Sequence, residues 1–333
     1  MKRLTLIDRF KEICCKGADP FFSIYVTTYK DKPYIRECLE SLARQGLSEK
    51  DFELIISNDA SNDGTVEVVN EFIRENPNLN IKFFINEKNL GVSESRNKAI
   101  EMSKGKYIVP MDGDDYLNDN ALKGIMKLIK ETDADLVLPK IVKFYESDVD
   151  EFDRPSGETI DIDIDVNKIN QLKGEDFFST LRSRGVRLGQ SILSKKLIEE
   201  NGLKFENTLC EDDIFTLKAY LVCQNPKIYY KPYYNYRKRK GSRSRQNIKG
   251  IVEKKLDLSI EALRLINDHP NYTNLLHIFS QGYYEYAQDF MKRLNCVDRF
   301  IIRNDFKKRL KPAAKLRTHI PTEKIKLPQH AAI

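Results

Sequence analysis

No run of about 18 apolar residues occurs anywhere in the 333-residue chain, so no transmembrane helix is expected. The N-terminus also lacks the continuous apolar core of a signal peptide. It sets Leu4, Ile7, Phe10, Ile13 and Cys14 at helical spacing among charges, which predicts an amphipathic helix over residues 1–20. The six cysteines (14, 15, 38, 210, 223 and 296) form no CxxC pair and no ligand-like spacing, so they read as reduced thiols of a cytosolic protein. No internal repeat is present. The segment Asp161-Ile-Asp163-Ile-Asp165-Val166 resembles a calcium loop only superficially. Valine stands where position six needs glycine, and Leu172 where position twelve needs glutamate. Its Asp/Ile alternation fits a half-exposed strand.

What is present suits a globular protein: 41% hydrophobic and 32% charged residues, with room for one large domain and an appendage. The net charge of +6 is unevenly spread. From Lys231 onward there are 23 Lys/Arg against 9 Asp/Glu, a balance of +14, which leaves −8 on the body. A basic C-terminal region on an acidic body suggests an anionic surface or substrate for that region.

The front half alternates strand and helix. Strands are predicted over 22–28, 52–57, 81–85, 106–111 and 135–139, and helices over 32–44, 65–75, 92–103 and 118–131. Strands separated by helices of this length imply βαβ units, a largely parallel sheet and ligands at the carboxyl ends of its strands. From Ser147 to about Gly174 the pattern weakens into a long loop or insertion. Helical patterns resume at 175–184 and 194–201, an acidic cluster opens a helix at Glu211, and 228–237 is an aromatic strand. Residues 249–309 read as two or three amphipathic helices broken at Pro270, and 311–333 as a basic, flexible tail.

Five constellations carry chemistry. In Tyr107-Ile108-Val109-Pro110-Met111-Asp112-Gly113-Asp114-Asp115 an apolar strand runs into three acids around one glycine. Such acids repel, and a hard divalent cation between them, joined by phosphate oxygens, relieves the repulsion. A plain turn is the other reading. Asp59 ends a second strand in a small-residue turn, where it suits a nucleobase imide N–H or the cap of the following helix. Arg96 lies in the first turns of a helix, aimed at a base or phosphate or simply solvated. Glu211-Asp212-Asp213 opens a helix whose dipole keeps carboxylates ionised, fit for a general base or for ordinary helix-start acids. A basic segment, Arg237 to Arg245, follows an aromatic strand and suits a lid over a diphosphate. Nucleic acid is not the expected partner, because the acidic clusters interrupt any continuous positive groove.

In this order the motifs resemble the family 2 glycosyltransferases of the GT-A fold. The resemblance spans about Phe21 to Ser244 and is carried by Val26-Thr27-Thr28-Tyr29-Lys30, the Ser57-to-Thr65 turn with Asp59, Asn89-Leu90-Gly91 through Arg96-Asn97, Met111-Asp112-Gly113-Asp114-Asp115, and Glu211-Asp212. It implies an α/β fold with a mixed, mostly parallel, Rossmann-like sheet flanked by helices. The catalytic domain would cover 21–246, with a nucleotide-sugar half over about 21–117 and an acceptor half over about 118–246. A helical region at 247–310 would follow. The implied activity is inverting transfer from a nucleotide sugar, most often a UDP-sugar, to a hydroxyl of a saccharide, glycolipid or cell-surface polymer. Thr27, Thr28, Tyr29, Asp59, Asn89, Arg96, Met111, Asp112 and Gly113 would bind the nucleotide sugar. Asp114 and Asp112 would hold Mn²⁺ or Mg²⁺, Asp212 would be the base supported by Glu211, and Arg239 and Ser242 would close over the diphosphate.

Thr27, Lys30 and Asn58 depart from the family pattern without removing metal ligand or base; Lys30 and Asn58 bear on donor choice. The expected location is cytoplasmic, peripheral at the inner face of the cell membrane, with the C-terminal helices meeting anionic lipid or a second copy. A non-catalytic nucleotide-sugar-binding protein and a sugar nucleotidyltransferase are the competing readings. Intact acids speak against the first. The lack of a Gly-rich, Lys/Arg-bearing loop at the first strand speaks against the second.

Overall fold

Parallel strands covered on both faces are buried at every position, and the first two strands show it. The computed structural model describes residues 19–145, 165–183, 190–238 and 247–315. In it β1 (Phe22–Thr28) and β2 (Phe52–Asn58) are buried throughout. Between and after them come α1 (Ile35–Ala43), α2 (Thr65–Glu75), β3 (Ile81–Ile85), α3 (Val92–Glu101) and β4 (Tyr107–Asp112). The chain continues through β5 (Tyr116–Leu117), α4 (Ala121–Thr132), β6 (Leu136–Tyr145), α5 (Val166–Ile169), α6 (Gly174–Ser183), β7 (Ile192–Ser194), α7 (Lys195–Glu200), α8 (Glu211–Val222) and β8 (Pro226–Lys238).

The strands form one sheet in the order β3-β2-β1-β4-β7-β6-β8-β5. Pairs β1/β2, β1/β4, β2/β3 and β6/β8 are parallel, whereas β7 runs antiparallel to β4 and β6, and β5 to β8. The sheet is therefore mixed and mostly parallel, as expected. Alternation along the strands separates its faces. Ile24, Val26, Leu54, Ile56, Val109 and Met111 join the α1, α2 and α4 side chains in one core. Tyr25, Ile108 and Pro110 take the opposite face, where α3, α7 and α8 supply Ile100, Ile198 and Phe215.

Register sets what reaches the carboxyl edge. Thr27 lies opposite both Ser57 and Asp112, and Thr28 opposite Asn58. The ladder extends one step past each strand: Asp59 N–H donates to the Thr28 carbonyl at 3.0 Å and Gly113 N–H to the Thr27 carbonyl at 2.9 Å. The chain leaves β1 toward β2 on one side and returns to β4 on the other. This topological switch point is where open α/β sheets bind ligands.

Contacts along the chain divide it into two units, Met1–Gln246 and Asn247–Ile333. In the second, α9 (Ile248–Arg264), a short 3₁₀ turn at Pro270–Tyr272, α10 (Thr273–Met291) and α11 (Cys296–Lys315) surround a core of Val252, Leu256, Ile260, Ala287, Met291, Ile302 and Phe306. No helix among the described residues is long and apolar enough to cross a membrane.

Three expectations are corrected. Helix α1 starts at Ile35 rather than Lys32, because Asp31 accepts the backbone N–H groups of Tyr34 and Ile35 and turns the chain first. Asp165 caps α5 through the N–H of Lys168, so Val166 begins a helix rather than ending a strand. The tail beginning at Lys311 is helical to Lys315. Pro312 forfeits one intrahelical donor, but Ala313, Ala314 and Lys315 are strong helix formers. The expected helix over 1–20 falls mostly outside the described residues, as does the tail from 316 on.

Candidate active site

The predicted residues come from five elements, β1, β2, α3, β4 and α8. At the end of β1, Thr27 Oγ1 donates to Asp112 Oδ1 at 3.2 Å, while Thr28 Oγ1 and Tyr29 N–H both donate to Asp31 Oδ2 at 3.0 Å. Tyr29 is left 43% exposed, with Lys30 Nζ 5.3 Å from its ring centre. Gly113 sits where β4 closes on β1. A Cβ there would lie 2.9 Å from Thr28 Cβ and 3.0 Å from Asp31 Oδ2, so only glycine fits.

Asp59 is buried and already engaged. Its Oδ1 accepts from Asn86 Nδ2 at 2.9 Å and Leu90 N–H at 2.8 Å, and its Oδ2 from Gly91 N–H at 2.9 Å. It therefore holds the 89–91 turn, where Gly91 takes φ +89° before α3. A carboxylate has about four acceptor sites, so one remains for a ligand donor. Asn89 is exposed in that turn, and Leu90 is 39% exposed. Asp59 does not cap α2. Asp63 does similar work there, accepting Thr65 N–H at 3.1 Å, and that hydrogen bonding holds Asp63 below the usual carboxylate range despite the opposing effect of burial.

Arg96 is not solvated. It is buried, with Nη2 3.0 Å from Asp112 Oδ1, Nη1 3.0 Å from Glu211 Oε1, and its guanidinium 5.1 Å from the ring centre of Phe205. Burial works against its charge, but Asp112 and Glu211 more than offset that and keep it cationic. Helix α3 is further tied to the loop before α8: Ser93 Oγ donates to the Glu206 carbonyl and Asn97 Nδ2 to the Phe205 carbonyl, both at 2.8 Å. The acidic start of α8 then splits in two. Glu211 turns inward to Arg96, whereas Asp212 is exposed.

The three acids after β4 also part company. Asp112, half-buried, meets Arg96 and Thr27. Asp114 is half-buried at the edge. Asp115 turns inward, accepting Tyr234 O–H at 2.6 Å and Arg237 N–H at 2.7 Å. Burial first, then the charges of Asp114 and Asp112, push its carboxyl up to about 8. Mutual repulsion is thus relieved within the protein by Arg96 and by a carboxyl that favours its proton. Met111 is fully buried in the core opposite the site, so only its backbone faces a ligand.

A cavity of about 310 Å³ opens at this edge, with Asp112, Arg96, Gln190 and Asp212 at its polar end and Ile100, Ile198 and Phe215 on its walls. Gln190 was not a sequence candidate, lying at the end of the unpatterned stretch. Its Nε2 reaches Asp112 Oδ2 at 3.4 Å from a left-handed backbone, φ +51°. Arg237 donates from Nε to the Asp114 carbonyl at 2.8 Å, pairs with Glu37 and lies 4.8 Å from the Tyr34 ring centre. It therefore fixes the base of the segment carrying Arg239 and Ser242, which lie outside the described residues.

Among the described residues, no group of three or more His, Cys, Asp or Glu side chains is set to hold a metal by itself. Asp112 and Asp114 are both half-buried at this edge, and a hard cation that arrives with phosphate oxygens needs only one or two protein carboxylates.

A profile of the family described as glycosyl transferase family 2 matches residues 23–187. The chain belongs to glycosyl transferase family 2. It is 30% identical over 224 residues to the poly(ribitol-phosphate) beta-N-acetylglucosaminyltransferase TarS of Staphylococcus aureus, covering 66% of this chain and 36% of that protein. The chain thus spans about a third of that relative's length. The fold is similar to the crystal structure of TarS 1–349 in complex with UDP-GlcNAc, with TM-score 0.66 at 24% identity over 89% of this chain and 83% of that one. It is also similar to the mannosyltransferase PcManGT of Pyrobaculum calidifontis in complex with GDP-Man and Mn²⁺, with TM-score 0.56 at 16% identity over 89% and 83% of the two chains. These likenesses identify the sheet as GT-A-like.

Proposed function

We propose that the chain is a metal-dependent inverting glycosyltransferase. It moves a sugar from a nucleotide-diphosphate sugar, with UDP-sugar the leading donor, to a hydroxyl of a saccharide, glycolipid or cell-surface polymer. The observation that carries this reading is the shared cavity: Asp112 at the end of β4 and exposed Asp212 at the start of α8 both line it. Arg96 and Glu211 hold those two elements together behind it.

The base would lie at the turn where exposed Tyr29 and Leu90 flank Asp59, whose remaining acceptor site suits an imide N–H. TarS, a family relative with UDP-GlcNAc bound in its crystal structure, supports UDP as the nucleotide. Asp114 and Asp112 would hold Mn²⁺ or Mg²⁺, as the Mn²⁺ bound to PcManGT supports. Bound there, it would neutralise charge on the departing diphosphate. Asp212 accepts the proton of the acceptor hydroxyl as its oxygen attacks the anomeric carbon. The bond to the nucleoside diphosphate breaks on the opposite face, so one displacement inverts the configuration. Arg239 and Ser242 remain the proposed diphosphate lid.

The deciding experiment is calorimetric binding of UDP-, GDP- and dTDP-sugars with and without Mn²⁺. Metal-dependent binding of one donor is expected. Failure of all three to bind would favour the non-catalytic reading.

A further inference from the structure

Five large hydrophobic side chains are substantially exposed among the described residues: Tyr29, Leu90, Val297, Phe300 and Ile301. The first two flank the candidate nucleotide turn. The other three fall within five residues of α11, at 63%, 68% and 53% exposure. Spacing of i, i+3 and i+4 puts them on one face of that helix.

This face is not needed for packing. The opposite face of α11 already buries Ile302 and Phe306 against Val252, Leu256, Ile260 and Met291. The helix therefore has two apolar faces, one filled and one open. Its charges are sorted in the same way. Both acids are engaged in ion pairs: Asp298 with Lys249 at 2.7 Å, and Asp305 with Arg309 at 2.7 Å. Arg309 also pairs with Asp257. Toward the C-terminus Lys308 continues the open face, with Lys307 at its edge and Arg303 on its flank; all three are exposed and have no acidic partner among the described residues.

We propose that the open face of α11 docks on an anionic lipid surface. Val297, Phe300 and Ile301 enter the region below the headgroups, and Arg303, Lys307 and Lys308 meet lipid phosphates. Charge complementarity selects this occupant. A soluble polyanion would match the lysines but leave three apolar side chains in water. A two-fold contact with a second copy would set the same cations against each other. The 20-residue helix is too polar to span a bilayer, so it lies along the surface. The proposal does not rest on the glycosyl-transfer reading.

The test is flotation of the full chain with phosphatidylcholine vesicles, with and without phosphatidylglycerol, at low and high salt. Two surface double variants accompany it, Phe300→Ser with Ile301→Ser and Lys307→Glu with Lys308→Glu, with circular dichroism and sedimentation as controls. Wild type should float with phosphatidylglycerol vesicles, and each variant should lose at least about tenfold in partitioning while keeping its helicity. Four outcomes overturn the proposal. One is no flotation of wild type, and another is equal flotation of wild type and the serine variant. A third is loss on charge reversal alone, which marks a polyanion contact. The fourth is a concentration-dependent dimer, abolished by the serine variant, in a chain that ignores vesicles.

Discussion

The Arg96 guanidinium and the Glu211 carboxylate, 115 residues apart in the chain, meet at 3.0 Å with both side chains buried. With its other nitrogen on Asp112, Arg96 couples the strand that ends in the proposed metal ligands to the helix that presents the proposed base. Removing one partner of a buried ion pair strands the other charges. Arg96→Met is therefore expected to lower unfolding stability by about 3–5 kcal/mol. Urea denaturation followed by circular dichroism measures this; a change within error would remove the cross-link as a stabilising element.

Asp212 has the opposite character, exposed and on the rim of the cavity. Asp212→Asn should leave the thermal midpoint nearly unchanged and donor binding intact, while turnover falls by about 10²–10⁴. Single-turnover transfer with isothermal titration of donor separates the two effects. Wild-type turnover in the variant would exclude Asp212 as the base.

Asp114→Ala should abolish metal-dependent donor stabilisation. A donor at a hundred times its Kd stabilises wild type by about 2.7 kcal/mol, which a thermal melt resolves. With Mn²⁺ present, the variant should show the small shift of the metal-free protein. A full shift would move the metal elsewhere.

Gly113→Ala adds a methyl group 2.9 Å from Thr28 Cβ. Overpacking of this kind costs about 1–3 kcal/mol. The strain falls where β1 and β4 deliver Thr27 and Asp112, so donor affinity should fall along with stability. Paired melts and titrations check this; lost stability with unchanged affinity would separate the glycine from the site.

The sequence made local features legible and left the tertiary ones hidden. Helix α2 spans Thr65–Glu75 and β3 spans Ile81–Ile85, both as hydrophobic periodicity predicts. Strands β5 and β7 are not legible in the sequence because two or three residues carry no period. The acids after Met111 were visible as a cluster, but the cluster could not reveal that Asp115 turns in to Tyr234, since that contact spans 119 residues. The family resemblance marks Arg96 and Asp59 as ligand contacts. Their protein partners depend on how α8 and the 89–91 turn pack, which no window around either residue contains. Gln190 lay beside a stretch with no pattern at all.

Strand β4 is short and its side chains alternate: Met111 in the core, Asp112 at the cavity, with Thr27 paired to Asp112 on the neighbouring strand. Gaining or losing a single residue between Tyr107 and Met111 would exchange the two faces. It would carry a carboxylate into the oily side and a thioether to the cavity. The length of this strand is therefore under the same constraint as the chemistry of the acids that follow it. Insertions and deletions are tolerable in the chain's long connections, but here they would act as null mutations even when every acid is kept.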